Sequence, residues 1–335
     1  MRRIAGTLLV VLIAGLVLAQ TSAARKERHF TFHYAIVVKG VPTDQAMQIW
    51  IPLAHDDPYQ QVHVLSQKGD LPLTRTRDLE YGNWMLHAGQ TPATKTEYSF
   101  SIDYDVVRWE HVAFVDGKPI APARNSEQVE LARFLQPDRL VPTAGLPAQL
   151  AAEQTKGATT ALEKARDLYD YVFRTMKYDK SGAGWGHGDT LWACDSKRGN
   201  CTDFHSVFIS MARSQGIPAR FEIGFPVPAN QHSAEVPGYH CWSEFYIDSI
   251  GWIPVDISEA WKHPELRDYY FGANDPNRVQ FTVGRDLRLN PAQAGPPLNY
   301  FIYPYVETGG KEHPNVTIDF SFKDVESTAE VTASR

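Results

Sequence analysis

Two kinds of hydrophobic spacing divide this chain. Between residues 29 and 115, apolar and polar positions alternate. Phe30, Phe32, Tyr34 and Ile36 are interleaved with Thr31, His33 and Ala35, and Met47, Ile49 and Ile51 repeat the pattern before Pro52. Val62, Val64, Trp84, Leu86, Tyr98, Phe100, Ile102 and Tyr104 extend it. A period of two, broken by Pro, Gly and Asp, predicts antiparallel strands with one buried face. This stretch reads as an all-β, sandwich-like domain, and nothing in it has catalytic spacing.

Beyond residue 157 the period becomes helical. Leu162, Ala165, Leu168, Tyr169, Val172, Phe173 and Met176 fall on one stripe, and Thr160 with Glu163 makes a capping box, so a helix is expected over residues 160–176. Phe204, Phe208, Met211 and Ala212 mark a second helix, opened by Asn200 and stopped by Gly216 and Pro218. Alternation then returns at Phe221, Ile223 and Phe225. Over residues 239–247, His240, Trp242, Glu244 and Tyr246 share one face and Cys241, Ser243, Phe245 and Ile247 the other. A polar and aromatic face opposite an apolar one predicts a cleft wall, with His240 on it and Cys241 turned away. The run Trp252-Ile253-Pro254-Val255 ends at Asp256, and residues 299–306 and 316–322 read as a closing hairpin on the same sheet.

The fold class is therefore α+β. An antiparallel β domain is expected over residues 25–118 and an α+β domain over 158–325. Pro119, Pro122, Pro137, Pro142 and Pro147 mark residues 119–157 as a linker packed along the surface, with a short helix near 127–134. Residues 326–335 form a polar, frayed tail. Residues 181–193 hold Gly182, Gly184, Gly186 and Gly188, too many for a helix. They read as a flexible wall beside the second helix; no P-loop lysine or second ligand cluster accompanies His187, which sets aside a phosphate or metal loop.

Length and charge narrow the picture. With 335 residues, 43% of them hydrophobic, the chain can build two cores. A net charge of −6 without a basic stripe argues against nucleic acid as a partner. Arg2 and Arg3, the apolar run from Leu8 to Leu18 and the small residues Ser22-Ala23-Ala24 read as an export signal over residues 1–24, too short for a comfortable membrane span. Export to the periplasm or the extracellular space follows, with no integral span after cleavage.

The candidate chemistry lies in three ordered residues. Cys201 opens a helix, where the macrodipole and orphan N–H groups favour a thiolate. His240 and Asp256 follow on separate elements. These are the parts of a thiol nucleophile, its base and the group that orients the base. Their long spacings lack the short pairs typical of a zinc site, so no metal and no cofactor is implied. His205, four residues after Cys201, can also reach the thiol but is better read as helix packing against the sheet. An odd cysteine count leaves Cys194 and Cys241 either as a disulfide or as two buried free thiols.

The stretch from Gly199 to Asp256 resembles the core of the transglutaminase-like superfamily, a branch of the papain-like thiol enzymes. The resemblance rests on Gly199, Cys201, Asp203 and Phe204, on Gly216, Ile217, Pro218, Ala219 and Arg220, on His240 and Trp242, and on Gly251, Trp252 and Asp256. It implies acyl transfer at an amide of a peptide or protein, with Cys201 attacking and His240 protonating the leaving amine. It also implies an upstream oxyanion donor, for which Trp192 and Trp185 are the candidates. Water would make the enzyme a peptidase or amidase, and an amine acceptor would make it a cross-linking transglutaminase. The signal and the small size favour hydrolysis. A non-catalytic binding module on the same fold has no need of all three residues. The oligomeric state is not legible.

Overall fold

A run with a period of two becomes a strand because every second side chain then faces the same core. In the computed structural model, which describes residues 25–115, 117–120 and 131–326, the strand Glu27–Lys39 buries Phe30, Phe32, Tyr34, Ile36 and Val38. It is the middle of a five-stranded antiparallel sheet ordered Ser233–Glu235, Val316–Asp324, Glu27–Lys39, Glu97–Trp109 and Gln60–Gly69. A second five-stranded sheet runs Lys311–Glu312, Tyr305–Thr308, Met47–Pro52, Trp84–Gln90 and Thr74–Arg77.

The hairpin expected to close the sheet of the second domain instead completes these two N-terminal sheets. Val316–Asp324 pairs with Glu27–Lys39 from Phe30↔Asp324 to Val38↔Val316, and Tyr305–Thr308 pairs with Met47–Pro52. The reason is aromatic complementarity: Phe320 stands 4.5 Å from Tyr34 between ring centroids, and Phe322 meets Phe30 edge-on at 6.4 Å. The span 158–325 is thus not one unit, because its last strands belong with the first.

The remaining elements form a helical layer on a four-stranded antiparallel sheet, ordered Gly251–Val255, His240–Ile247, Ala219–Pro226 and Arg278–Val283. The helices are α1 (Leu146–Gln154), α2 (Ala161–Thr175), α3 (Thr190–Ser196), α4 (Cys201–Ser214) and α5 (Ile257–Lys262). Helix α2 has the capping box, Thr160 and Glu163 bonding reciprocally. Every residue of α4 from Cys201 to Arg213 is buried. Its Arg213 donates to Asp138 at 2.7 Å, and Thr155, at the end of α1, meets Gln215 at 3.3 Å. The segment expected to be a surface linker is thus partly structural, tied to the central helix by a buried ion pair. Of the short helix expected near 127–134, a 3₁₀ turn at Arg133–Leu135 is described. Residues 1–24, where the export signal is expected, and residues 116, 121–130 and 327–335 lie outside the described residues. Among the described residues no helix is long and apolar enough to cross a membrane.

One aromatic cluster joins both parts. Phe225 and Phe281 of the four-stranded sheet stand 5.2 Å apart, and Phe225 lies 5.4 Å from Phe32 and 4.1 Å from Phe320. Such pairs add roughly 0.5–1.5 kcal/mol each beyond their area burial. The sheet carrying His240 is thereby fixed against the N-terminal strands. Consequently the face of His240, Trp242 and Glu244 is covered rather than open as a cleft wall; all three side chains are buried, and Glu244 meets His111 at 3.1 Å.

Candidate active site

The start of α4 is built by its own side chains. Asn200 accepts from the Thr202 N–H at 2.9 Å, and Asp203 reaches back to the Asn200 N–H at 2.9 Å. The same Asp203 carboxylate accepts from the N–H groups of Gly186 at 2.7 Å and Gly188 at 3.0 Å. Gly199 is required here, because a Cβ would strike that carboxylate. Carbonyls of the glycine-rich loop are gripped from the far side: Arg285 donates to Gly188 O at 2.9 Å and His187 O at 2.8 Å, and Asn299 donates to His187 O at 2.8 Å. The loop expected to be a flexible wall is pinned on both its donors and its acceptors. The glycines serve backbone geometry: Gly188, at φ 59°, has no room for a Cβ beside Arg285.

Cys201 occupies the first helical position, where its backbone N–H is one of those that the helix cannot satisfy. Cys201 is only 2% exposed, and the side chains of His240 and Cys241 act on its thiol. Burial alone pushes it up. The interactions with Cys241 and His240, including the positive charge of His240, overrule burial and hold the thiol well below its usual value. For His240, burial pulls down, while the charge and hydrogen bond of Asp256, with those of Cys201, push the imidazole up to about 10. Burial disfavours the Asp256 carboxylate, yet His240, Arg278 and His205 hold it well below the usual carboxyl range. These directions favour a thiolate, an imidazolium and a carboxylate in a row.

The geometry gives each ring nitrogen one task. His240 Nε2 lies 2.7 Å from Asp256 Oδ2, which leaves Nδ1 for the thiol. Asp256 is also the N-cap of α5. Its Oδ1 accepts from the Glu259 N–H and the Ser258 hydroxyl, each at 3.1 Å. Arg278 adds a fourth donor, Nη1 to Oδ2 at 3.0 Å.

The other candidate residues fall out differently. His205 Nε2 accepts the Ile257 N–H at 3.1 Å, and burial pushes the ring down to about 4, so it stays neutral and ties α5 to α4. The Cys194–Cys241 disulfide is not formed; all three cysteines are free. Strand parity correctly separates Cys241 from the His240 face, but the opposite face packs on α4. Cys241 Sγ stands 3.7 Å from Thr202 Oγ1 and 3.8 Å from His205 Nδ1, beside the Cys201 thiol and not away from it. Trp185 donates its indole N–H to Gly182 O at 3.1 Å. The Trp192 indole nitrogen packs against Gly184 beneath Arg198. Three contributors escaped the sequence reading: Arg278, Arg285 and Tyr239, whose hydroxyl accepts from Asn200 and pairs with Thr202, each at 3.0 Å.

With this geometry in place, residues 148–257 match the family model of the transglutaminase-like superfamily. These residues are a transglutaminase-like core. An uncharacterised protein of Haemophilus influenzae is 28% identical over 316 residues, covering 84% of this chain and 85% of that protein. The crystal structure of a candidate cysteine protease from Cytophaga hutchinsonii superposes with a TM-score of 0.59 at 15% identity, over 90% of this chain and 92% of that one. At that identity the likeness is one of fold, and it extends beyond the transglutaminase-like core to the N-terminal sheets. The core fold and the assembled thiol, imidazole and carboxylate support thiol-dependent catalysis.

Proposed function

We propose that this protein hydrolyses amide bonds in peptides or proteins through a Cys201 thioester. The observation that carries the reading is the buried row Cys201–His240–Asp256, with its 2.7 Å histidine–carboxylate bond and a thiol held well below its usual value at a helix start. The Cys201 thiolate attacks the amide carbon and the C=O electrons move to oxygen. In this reading the Cys201 backbone N–H, at the first position of the helix, stabilises that oxyanion. The C–N bond then breaks as His240 Nδ1–H passes its proton to the leaving amine, giving a thioester and a free amine. His240, now neutral, takes a proton from water. The hydroxide attacks the thioester, the carboxylic acid leaves, and thiolate and imidazolium are restored. Asp256 holds one ring orientation throughout.

Export to the periplasm or the extracellular space belongs to the same proposal, supported by the pattern of residues 1–24. The test is a panel of peptide amides, assayed with and without an added primary amine, with Cys201→Ala as control. Amine-independent cleavage lost in Cys201→Ala is expected. Product formed only when amine is supplied overturns hydrolysis in favour of transfer. No turnover, combined with an ordinary rate of thiol alkylation at mildly acidic pH, overturns catalysis in favour of a binding module.

A further inference from the structure

We infer that Arg278 is a positioning residue for the Cys201–His240 pair, acting through the Asp256 carboxylate. The inference rests on the reading of those three residues given above. Arg278 begins the strand Arg278–Val283 and is 2% exposed. Its Nη1 donates to the same Asp256 oxygen that meets His240 Nε2. Its Nη2 donates to Asp275 Oδ2 at 3.0 Å, and its guanidinium carbon lies 4.9 Å from the centre of the Trp242 ring. The Trp242 indole is itself anchored, donating to Glu222 Oε2 at 2.9 Å.

A guanidinium held at both ends and stacked on a fixed indole has little freedom to turn. The oxygen it grips is therefore fixed as well. Asp256 Oδ1 is already occupied by Ser258 and Glu259, so each carboxylate oxygen accepts two donors. With Arg278 removed, Oδ2 keeps only the histidine, and the carboxylate can rotate with the ring it is meant to orient. The charged and titratable groups facing Asp256 are His240, Arg278 and His205, whose Nε2 lies 3.8 Å from Oδ1; Glu259 stands 4.0 Å from His240 Nε2, with Lys262 bonded to it at 2.6 Å. Among the arginines and lysines, Arg278 alone forms an ion pair with Asp256 among the described residues.

The readout is the initial rate of Cys201 carbamidomethylation by iodoacetamide at pH 6 on the full-length protein. It needs no substrate, so failure of the amide-hydrolysis reading leaves it intact. Arg278→Met slows labelling about tenfold, and Arg278→Lys, which keeps the charge but not the fork, restores most of the rate. Placed on Asp256→Asn, Arg278→Met changes the rate less than about twofold, because its route to the thiol runs through the carboxylate. Asp275→Asn frees the other end of the guanidinium and gives a smaller loss, again absent on Asp256→Asn. If Arg278→Met does not fold, the Asp275 pair decides. Losses that add in the double variants, or a wild-type rate in folded Arg278→Met, overturn the inference.

Discussion

Two histidine–carboxylate–arginine sets sit along the strand His240–Ile247, one at its start and one at Glu244 in its middle, and they behave in opposite ways. At the start His240 meets Asp256 at 2.7 Å, and Asp256 meets Arg278 at 3.0 Å. In the middle His111 meets Glu244 at 3.1 Å, and Glu244 meets Arg220 at 2.6 Å. All six side chains bond inside the protein. Yet His240 is pushed up to about 10, whereas burial pulls His111 down and Glu244 fails to reverse it. The difference lies in the other partner of each ring. His240 has the Cys201 thiolate as a second negative neighbour; His111 is stacked flat on Tyr59, with ring centres 3.6 Å apart. A carboxylate orients an imidazole in either case, but in this molecule only the set with an anionic thiol makes an imidazolium.

The sharpest way to break this contrast is to remove each histidine in turn. His240→Ala is expected to lower amide cleavage by roughly 10³-fold or more, as loss of a triad base does. His111→Phe keeps the stack on Tyr59 and is expected to leave kcat/KM within about threefold of wild type, since no step routes through it. Equal losses of kcat/KM in two folded variants would mean that the Glu244 set is also part of the machinery.

Asp256→Asn comes next in size. It keeps the shape of the side chain and its reach to the α5 N-terminus, but it no longer holds the ring as a carboxylate does. A loss of about 10²–10⁴ in kcat, short of that in Cys201→Ala, is expected. A wild-type rate in this variant would place the orienting group elsewhere.

These contrasts also mark what the sequence could and could not tell. The alternating runs and the Thr160 capping box were legible because each is a local pattern. So were Cys201, His240 and Asp256, which stand at element starts and ends. The partners of strands were not. Phe320 and Phe322 declare by their period that one face is buried, but a period of two says nothing about which strand lies alongside. That is how Val316–Asp324 came to be expected on the wrong sheet. Cys241 illustrates the same limit: parity gave its face correctly, while the body packed on that face, α4 with Cys201 at its tip, is a tertiary fact. Arg278 follows the polar run Asn274-Asp275-Pro276-Asn277 and Arg285 stands beside Asp286, and their meaning comes from Asp256 and Gly188, which no local pattern connects to them.

The pH dependence sharpens the comparison further. The Cys201 thiol is held well below its usual value, which favours the ion pair with His240. It is lost as pH rises through about 10, when His240 gives up the proton that the leaving amine needs. Cleavage by the wild type is expected to decline along that alkaline limb, and His111→Phe to follow the same curve. A limb displaced by one pH unit or more in His111→Phe would show that the two sets communicate through the strand.

The smallest expected effect concerns stability around Glu244. Arg220 is shared by Glu244 and Glu222, and the two carboxylates are forced apart: burial and the charge of Glu244 push Glu222 up to about 8, while Glu244, despite its burial, is held down to about 2 by Arg220 and His111. The folded protein therefore keeps a proton on Glu222 at neutral pH that the unfolded chain has released above about 4.5. A state that binds more protons is favoured at low pH, so this stabilisation is complete below the unfolded value and is lost as pH rises through about 8. The slope inside that window is at most about 1.4 kcal/mol per pH unit. Glu244 acts in a separate window, between about 4.5 and about 2, and with the opposite sign. Glu222→Gln keeps a carbonyl for the Trp242 N–H, which lies 2.9 Å from the carboxyl oxygen, but cannot titrate. Its Tm is expected to be flatter than the wild type's between pH 5 and 8, as followed by thermal unfolding (roughly the window set by the linkage argument). If Tm falls as steeply in Glu222→Gln as in the wild type, the retained proton sits on another group, and Arg220 is not dividing its charge between the two carboxylates as the distances of 2.8 and 2.6 Å imply.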